Sequence, residues 1–209
     1  MLASENPQSV NQKERTVKAN LLWRLPNYIE WSQSSNYAQP DKPYKLCIYD
    51  DSDYFAFVME YLKGSKIKGS TIEFSHVKFA EDFGGCDVAY LGDIDQQSLG
   101  TIMASGLYKN TLLIASSTFS AKDGVHLRLY VGADGRLAFE ENQKAFAEHG
   151  SRPKVRLLKF VKRSYTSAPL IDSATKQQPS KTDILFKSPQ EAEWQDTKAY
   201  AEISKEQML

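Results

Sequence analysis

A protein that does chemistry needs nucleophiles, proton carriers, metal ligands or a phosphate cradle, and in this 209-residue chain the candidates for each are few. Its thiols are Cys47 and Cys86, and its imidazoles are His76, His126 and His149. The histidines stand far apart and in no metal-ligand spacing. Both cysteines sit in apolar runs, KLCIYDDS (45–52) and EDFGGCDVAYL (81–91), where a thiol is normally inert. GxSxG, HExxH, CxxC, the phosphate-binding P-loop and GxGxxG are all missing from the sequence. The expectation is a protein without an active site, a cofactor or a metal.

Three weaker signals remain. Asp50, Asp51 and Asp53 follow an apolar strand, and Asp93 follows another, the position where an α/β protein holds a ligand. Asp50, Asp51 and Asp93 are therefore the ligand-binding candidates, although Ser52 or Asp53 as the cap of a following helix explains the first cluster more simply. The lysines of KGSKIKGS (63–70) stand among glycines, but a strand follows where a phosphate loop needs a helix, so a solvated connection is expected. A bond between Cys47 and Cys86 would close a loop worth about 4 kcal/mol in the chain-entropy model. Two separate buried thiols fit the same spacing, and the spacing alone leaves both readings open.

The elements that would position these residues read as α/β. Residues 1–11 are polar and unpatterned and are expected to be disordered. From Gln12 the apolar residues Val17, Leu21, Leu22, Leu25, Tyr28 and Ile29 recur at helical spacing, with Pro26 ending or kinking the first segment near Leu25. Strands are expected over 44–49, 71–77, 88–91 and 111–115, with helices over 53–63, 95–105 and 142–148 between or after them. From His126 the period changes to two, and Asp134-Gly135 marks a hairpin joining HLRLYV to RLAFEEN. Val155 to Lys162 is extended or helical. This is an α/β domain over 12–163 with a mixed sheet, parallel strands plus a C-terminal antiparallel hairpin. Beyond it, 164–209 reads as a linker followed by a helix from Pro189 to Lys205, opened by a capping box at Ser188 to Glu191.

Lys+Arg and Asp+Glu both number 26. That zero balance argues against nucleic acid as a partner and against attraction to anionic membranes. No run of about 18 apolar residues exists to insert into a bilayer. The polar start MLASENPQSVNQKE carries no apolar signal-peptide segment, which taken literally means a cytoplasmic protein, or an exported one whose leader has been removed. Aromatic anchors at Trp23, Tyr28, Trp31 and Trp194 are the candidates for touching a partner.

Several of these stretches in succession resemble one family. KANLLWRLPNYIEW (18–31) ends in a Y-x-E-W pattern at Tyr28, Glu30 and Trp31, and KLCIYDDSDYFAFVMEYLKG (45–64) carries the strand cysteine. GGCDVAYLGD (84–93) carries Cys86 with Asp87, an F-x-x-N stretch spans Phe139 to Asn142, and Arg156, Leu157 and Leu158 form RLL. In this order, over about 13–163, they resemble the YfiR family of periplasmic proteins. The resemblance implies a Rossmann-like three-layer α/β sandwich that binds partners instead of catalysing, and a disulfide between Cys47 and Cys86. It implies residence in the periplasm with the signal peptide removed, homodimers, and repression of a membrane-bound diguanylate cyclase through its periplasmic region, which lowers cyclic di-GMP and bears on biofilm formation. Related domains occur as extracytoplasmic sensors of histidine kinases, so a small-ligand sensor is the alternative. The chain departs from the family in lacking a second cysteine pair late in the domain, and the tail from Ser164 lies outside the pattern.

Overall fold

The fold is described from a computed structural model, for residues 7–32, 35, 37, 42–67, 69–132 and 136–166. Trp194, the helix expected over 189–205, the Asp134-Gly135 turn and residues 1–6 lie outside them. In chain order the elements are α1 (Pro7–Arg24), a 3-10 turn at Leu25–Tyr28, β1 (Ile29–Glu30), β2 (Tyr44–Tyr49), α2 (Ser52–Tyr61), β3 (Lys66–Ile67) and β4 (Ser70–Val77). A second 3-10 turn at Ala80–Gly85 leads to β5 (Val88–Tyr90), α3 (Gln96–Ser105), β6 (Leu112–Ala115), β7 (Leu127–Val131), β8 (Leu137–Asn142), α4 (Gln143–His149), β9 (Arg152–Pro153), α5 (Val155–Leu158) and β10 (Val161–Tyr165). Pro26 ends the first helix at Arg24 because it brings no amide to the helical ladder. That helix begins at Pro7, inside the stretch expected to be disordered, and proline's fixed φ suits a first helical position.

The main sheet has eight strands in the order β10-β8-β7-β6-β5-β2-β4-β3. Its middle, β4-β2-β5-β6-β7, is wholly parallel. β8 pairs antiparallel with β7, the expected hairpin, and β10 then runs parallel to β8 at the edge. A mixed, mostly parallel sheet covered by helices is the Rossmann-like sandwich the sequence implied. Two small additions were not anticipated. β3 folds back on β4 where a solvated loop was expected, and β1 pairs with β9 in a separate two-stranded ribbon.

Alternation along the strands divides the core into two layers. Leu46, Ile48, Val88, Tyr90, Leu112, Ile114, Leu127, Leu129 and Phe139 point to the side covered by α1, α2, α4 and α5, against Leu22, Leu25, Val58, Phe146 and Leu157. Cys47, Ala89, Leu113 and Ala115 point the other way, onto Leu99, Ile102 and Met103 of α3 and Phe83 of the 3-10 turn. Thus α2 and α3, which cross over on either side of the β2–β5 pair, lie on opposite faces. The right-handed crossover rule requires this once the order turns back at β2.

Candidate functional site

Cys47 and Cys86 are bonded, with Cα atoms 5.9 Å apart, inside the normal range for a disulfide. β2 supplies the first and the turn before β5 the second, and both are buried. The same turn is held independently of sulfur. The Asp87 carboxylate accepts the Lys45 amide at 2.8 Å, and the Asp87 amide returns the bond to the Lys45 carbonyl at 3.0 Å. The Thr111 hydroxyl lies 3.0 and 2.9 Å from the carbonyls of Phe83 and Cys86. Burial raises the Asp87 carboxyl above the usual carboxylate range, against the pull of the Lys45 and Tyr37 amides. Burial and that nearby carboxylate also push the Tyr37 hydroxyl up to about 12. A small pocket lined by Lys42, Lys45, Glu73, Gly85 and Asp87 opens beside this turn.

The aspartates at the strand ends have structural employment. Asp51, one residue before the caps considered from sequence, is the N-cap of α2: its carboxylate accepts the Tyr54 amide at 2.8 Å. Ser52 and Asp53 fall in the helix's first turn instead. Asp50 holds a left-handed φ of 48°, and its amide bonds the Val77 carbonyl at 2.9 Å, continuing the β2–β4 ladder. Asp93 accepts the Ser117 hydroxyl at 3.1 Å. Among the described residues no three His, Cys, Asp or Glu side chains converge as a metal site.

The aromatic candidates are partly spent on the fold. Trp23, Tyr28 and Trp31 are half-buried against the α1–α2 core. The Trp23 indole donates to the Lys66 carbonyl at 3.2 Å, tying β3 to α1, and the Trp31 indole donates to the Pro26 carbonyl at 2.9 Å.

The fold also makes groupings that sequence spacing conceals. His126 and His149, separated along the chain, meet edge to face at 5.1 Å. Arg128 and Glu140, opposite one another on β7 and β8, form an ion pair of 3.2 Å between side chains 13% and 5% exposed, with Arg163 of β10 at 4.0 Å from the same carboxylate. Glu14, Arg15 and Lys18 of α1 gather with Tyr54, Tyr90 and Ser116. The signal available in sequence was the spacing of Glu14 and Lys18, four apart on one helical face, but nothing said which strand ends that face would meet.

A family model described as YfiR/HmsC-like matches residues 15–162, nearly all of the sandwich. The chain belongs to that family. In this YfiR-like chain Cys47 and Cys86 are bonded, the asparagine of the F-x-x-N stretch is the N-cap of α4, and Asp87 holds its turn against Lys45. No curated protein matches the chain significantly. Among solved structures, a conserved domain protein from Vibrio cholerae O1 biovar El Tor is 15% identical with a TM-score of 0.42, covering 60% of this chain and 55% of that one. An ABC domain in complex with L-Trp from Streptococcus pneumonia is 14% identical with a TM-score of 0.45, covering 72% of this chain and 60% of that one. The chain therefore spans less than two thirds of either of these. In the described residues no helix is long and apolar enough to cross a membrane.

Proposed function

We propose that this YfiR-like chain is a periplasmic regulatory protein that binds the periplasmic sensor region of a membrane-bound diguanylate cyclase and holds the cyclase inactive, lowering cyclic di-GMP. The observation that carries the reading is the family match over the whole sandwich, joined to a buried disulfide of the kind that persists in an oxidising compartment. The chain acts by binding, without catalysis. Its strand-end aspartates cap and brace the backbone, and its thiols are bonded to each other. Repression is a population shift: the chain binds the inactive form of the sensor more tightly than the active one, since only differential affinity moves such an equilibrium. The half-buried aromatics Trp23, Tyr28 and Trp31 are the first residues to substitute on the binding surface, Trp194 is substituted separately as a candidate named from sequence alone, and the repressor works as a homodimer.

The test is reconstitution. The chain is exported to the periplasm of a host carrying one membrane-bound diguanylate cyclase at a time, and cyclic di-GMP and co-purification with the sensor region are measured. A fall in cyclic di-GMP that needs the sensor region is the expected result. Absence of binding to any such region, with the disulfide intact or reduced, would falsify the reading.

A further inference from the structure

The order of the parallel strands makes one end of this molecule chemically distinct. β2 is flanked on one side by β4 and on the other by β5, so the crossovers leave on opposite faces and the C-terminal ends of β2 and β5 border a crevice where α/β sheets take ligands. Of the aspartates there, the Asp51 carboxylate caps α2 and that of Asp93 accepts from Ser117. The other wall, beneath α1, is rich in donors. Tyr54, in the first turn of α2, and Tyr90, at the end of β5, have ring centres 5.3 Å apart. The Tyr90 hydroxyl is 2.7 Å from Ser116 Oγ, just past β6. From α1, Lys18 reaches the Tyr90 hydroxyl and pairs with Glu14 at 2.6 Å. Arg15 donates through Nη2 to the Asp53 carbonyl at 2.9 Å and lies over the rings of Tyr54 and Phe57 at 5.8 and 5.1 Å.

Two polar atoms in this group are buried with no hydrogen-bond partner among the described residues: the hydroxyl of Tyr54, a residue 4% exposed, and Nε of Arg15. The Tyr54 ring lies against Tyr90 and under Arg15, and the carboxylates of Asp51 and Glu14 act on its hydroxyl through space. Native proteins seldom leave a buried O–H and a charged N–H unmatched side by side, because each has lost water without replacement. Arg15 Nε can only donate and the Tyr54 hydroxyl can donate, while the two carboxylates that act on Tyr54 are already engaged, Asp51 with the Tyr54 amide and Glu14 with Lys18. Arg15, Lys18 and Ser116 are only half-buried, so solvent reaches the rim of the group.

We propose that Arg15, Lys18, Tyr54, Tyr90 and Ser116 form a binding site for a small oxyanion, a carboxylate or a phosphate. Arg15 Nε and the Tyr54 hydroxyl donate to it, and Lys18 contributes charge while remaining tethered by Glu14. The site stands apart from the cyclase reading and does not depend on it.

Equilibrium dialysis of the full chain against radiolabelled inorganic phosphate, and separately against radiolabelled acetate, at fixed ionic strength tests this. One saturable equivalent per chain is expected for at least one of the two, weakened about tenfold or more by Tyr54→Phe and by Lys18→Gln, each of which removes a donor. Saturation by phosphate alone assigns a phosphoryl ligand, and by acetate alone a carboxylate. Tyr54→Phe removes only an unmatched hydroxyl, so circular dichroism should show it folded. No saturable binding of either anion, or binding equal in wild type and both variants, overturns the site and leaves the unmatched donors to water.

Discussion

Asn142 shows how much one side chain carries. It is fully buried at the end of β8, where Oδ1 accepts the Ala145 amide at 2.9 Å to start α4 and Nδ2 donates to the Ala121 carbonyl at 2.8 Å. Replacing it by alanine removes a cap worth about 1 kcal/mol and strands a buried carbonyl at a further 1–3 kcal/mol. Asn142→Ala should therefore lower stability by about 2–4 kcal/mol in urea titration. His126 sets a pH limit in the same region. Its Nδ1 accepts the Leu113 amide at 3.0 Å and its other nitrogen faces the Ala145 carbonyl, so the ring is held neutral. Burial foremost, and then His149, hold it well below the ordinary histidine range; burial also lowers His149. Because the folded value lies below the unfolded one, this contribution is complete above about pH 6.5 and is lost as pH falls, at up to about 1.4 kcal/mol per pH unit for one proton. Denaturation midpoints at pH 7.5 and 5.5 measure it. A flat profile would mean that His126 is not held neutral.

At the scale of elements, the β7–β8–β10 end of the sheet is stitched by charge. Glu140 is buried between Arg128 and Arg163 and accepts the Tyr165 hydroxyl at 3.5 Å, while Arg128 stacks on Tyr130 at 4.3 Å. Removing Arg128 leaves a buried carboxylate with the distant Arg163 and the Tyr165 hydroxyl to answer it. Arg128→Ala should cost about 3 kcal/mol or more, and Glu140→Gln, which leaves no buried negative charge, clearly less. Chemical denaturation of the two variants decides this, and equal losses would refute the pairing argument. The elements differ in how far sequence reveals them. β2, β5 and β6 were legible as short apolar runs because both faces of each are covered, and β7 and β8 because one face is more polar than the other. α2, α3 and α4 were legible from apolar spacing and caps, with the cap of α2 misplaced by a residue because three acidic or hydroxyl side chains in a row compete for it. β1, β3 and β9 were not, since two residues have no period. β10 was not separable from α5 within VRLLKFVKR: it is an edge strand whose Lys162, Arg163 and Ser164 face solvent, so no alternation marks it. For the candidate site the cysteine pair was visible as a possibility, while the Arg15–Tyr54–Tyr90 and His126–His149 groupings come from strand order, which residue spacing does not encode.

For the molecule as a whole, the disulfide acts mainly on the unfolded chain. Both cysteines already lie in backbone held by the Asp87–Lys45 bonds and the Thr111 hydroxyl, so the folded arrangement has its own supports. Breaking the link frees a loop of about 40 residues in the denatured ensemble at about 4 kcal/mol. A Cys47→Ala/Cys86→Ala variant should keep the wild-type far-ultraviolet spectrum while its unfolding free energy from guanidinium titration falls by that amount; a change below about 1 kcal/mol would show that loop closure is not how the bond stabilises this chain. The β1–β9 ribbon bears on another matter, the order in which the protein comes into being. Ile29 and Glu30 pair with Pro153 and Arg152, with an ion pair between Glu30 and Arg152 and a bond from the Lys154 amide to the Tyr28 carbonyl at 2.8 Å. A chain emerging from the ribosome or from a secretion channel presents the first half of this ribbon more than a hundred residues before the second. The segment around Ile29 must wait for nearly the whole sandwich to emerge, so closing the ribbon is a late event of biogenesis, and protection of the Ile29 and Glu30 backbone from proteases marks a chain that has emerged at least as far as Lys154.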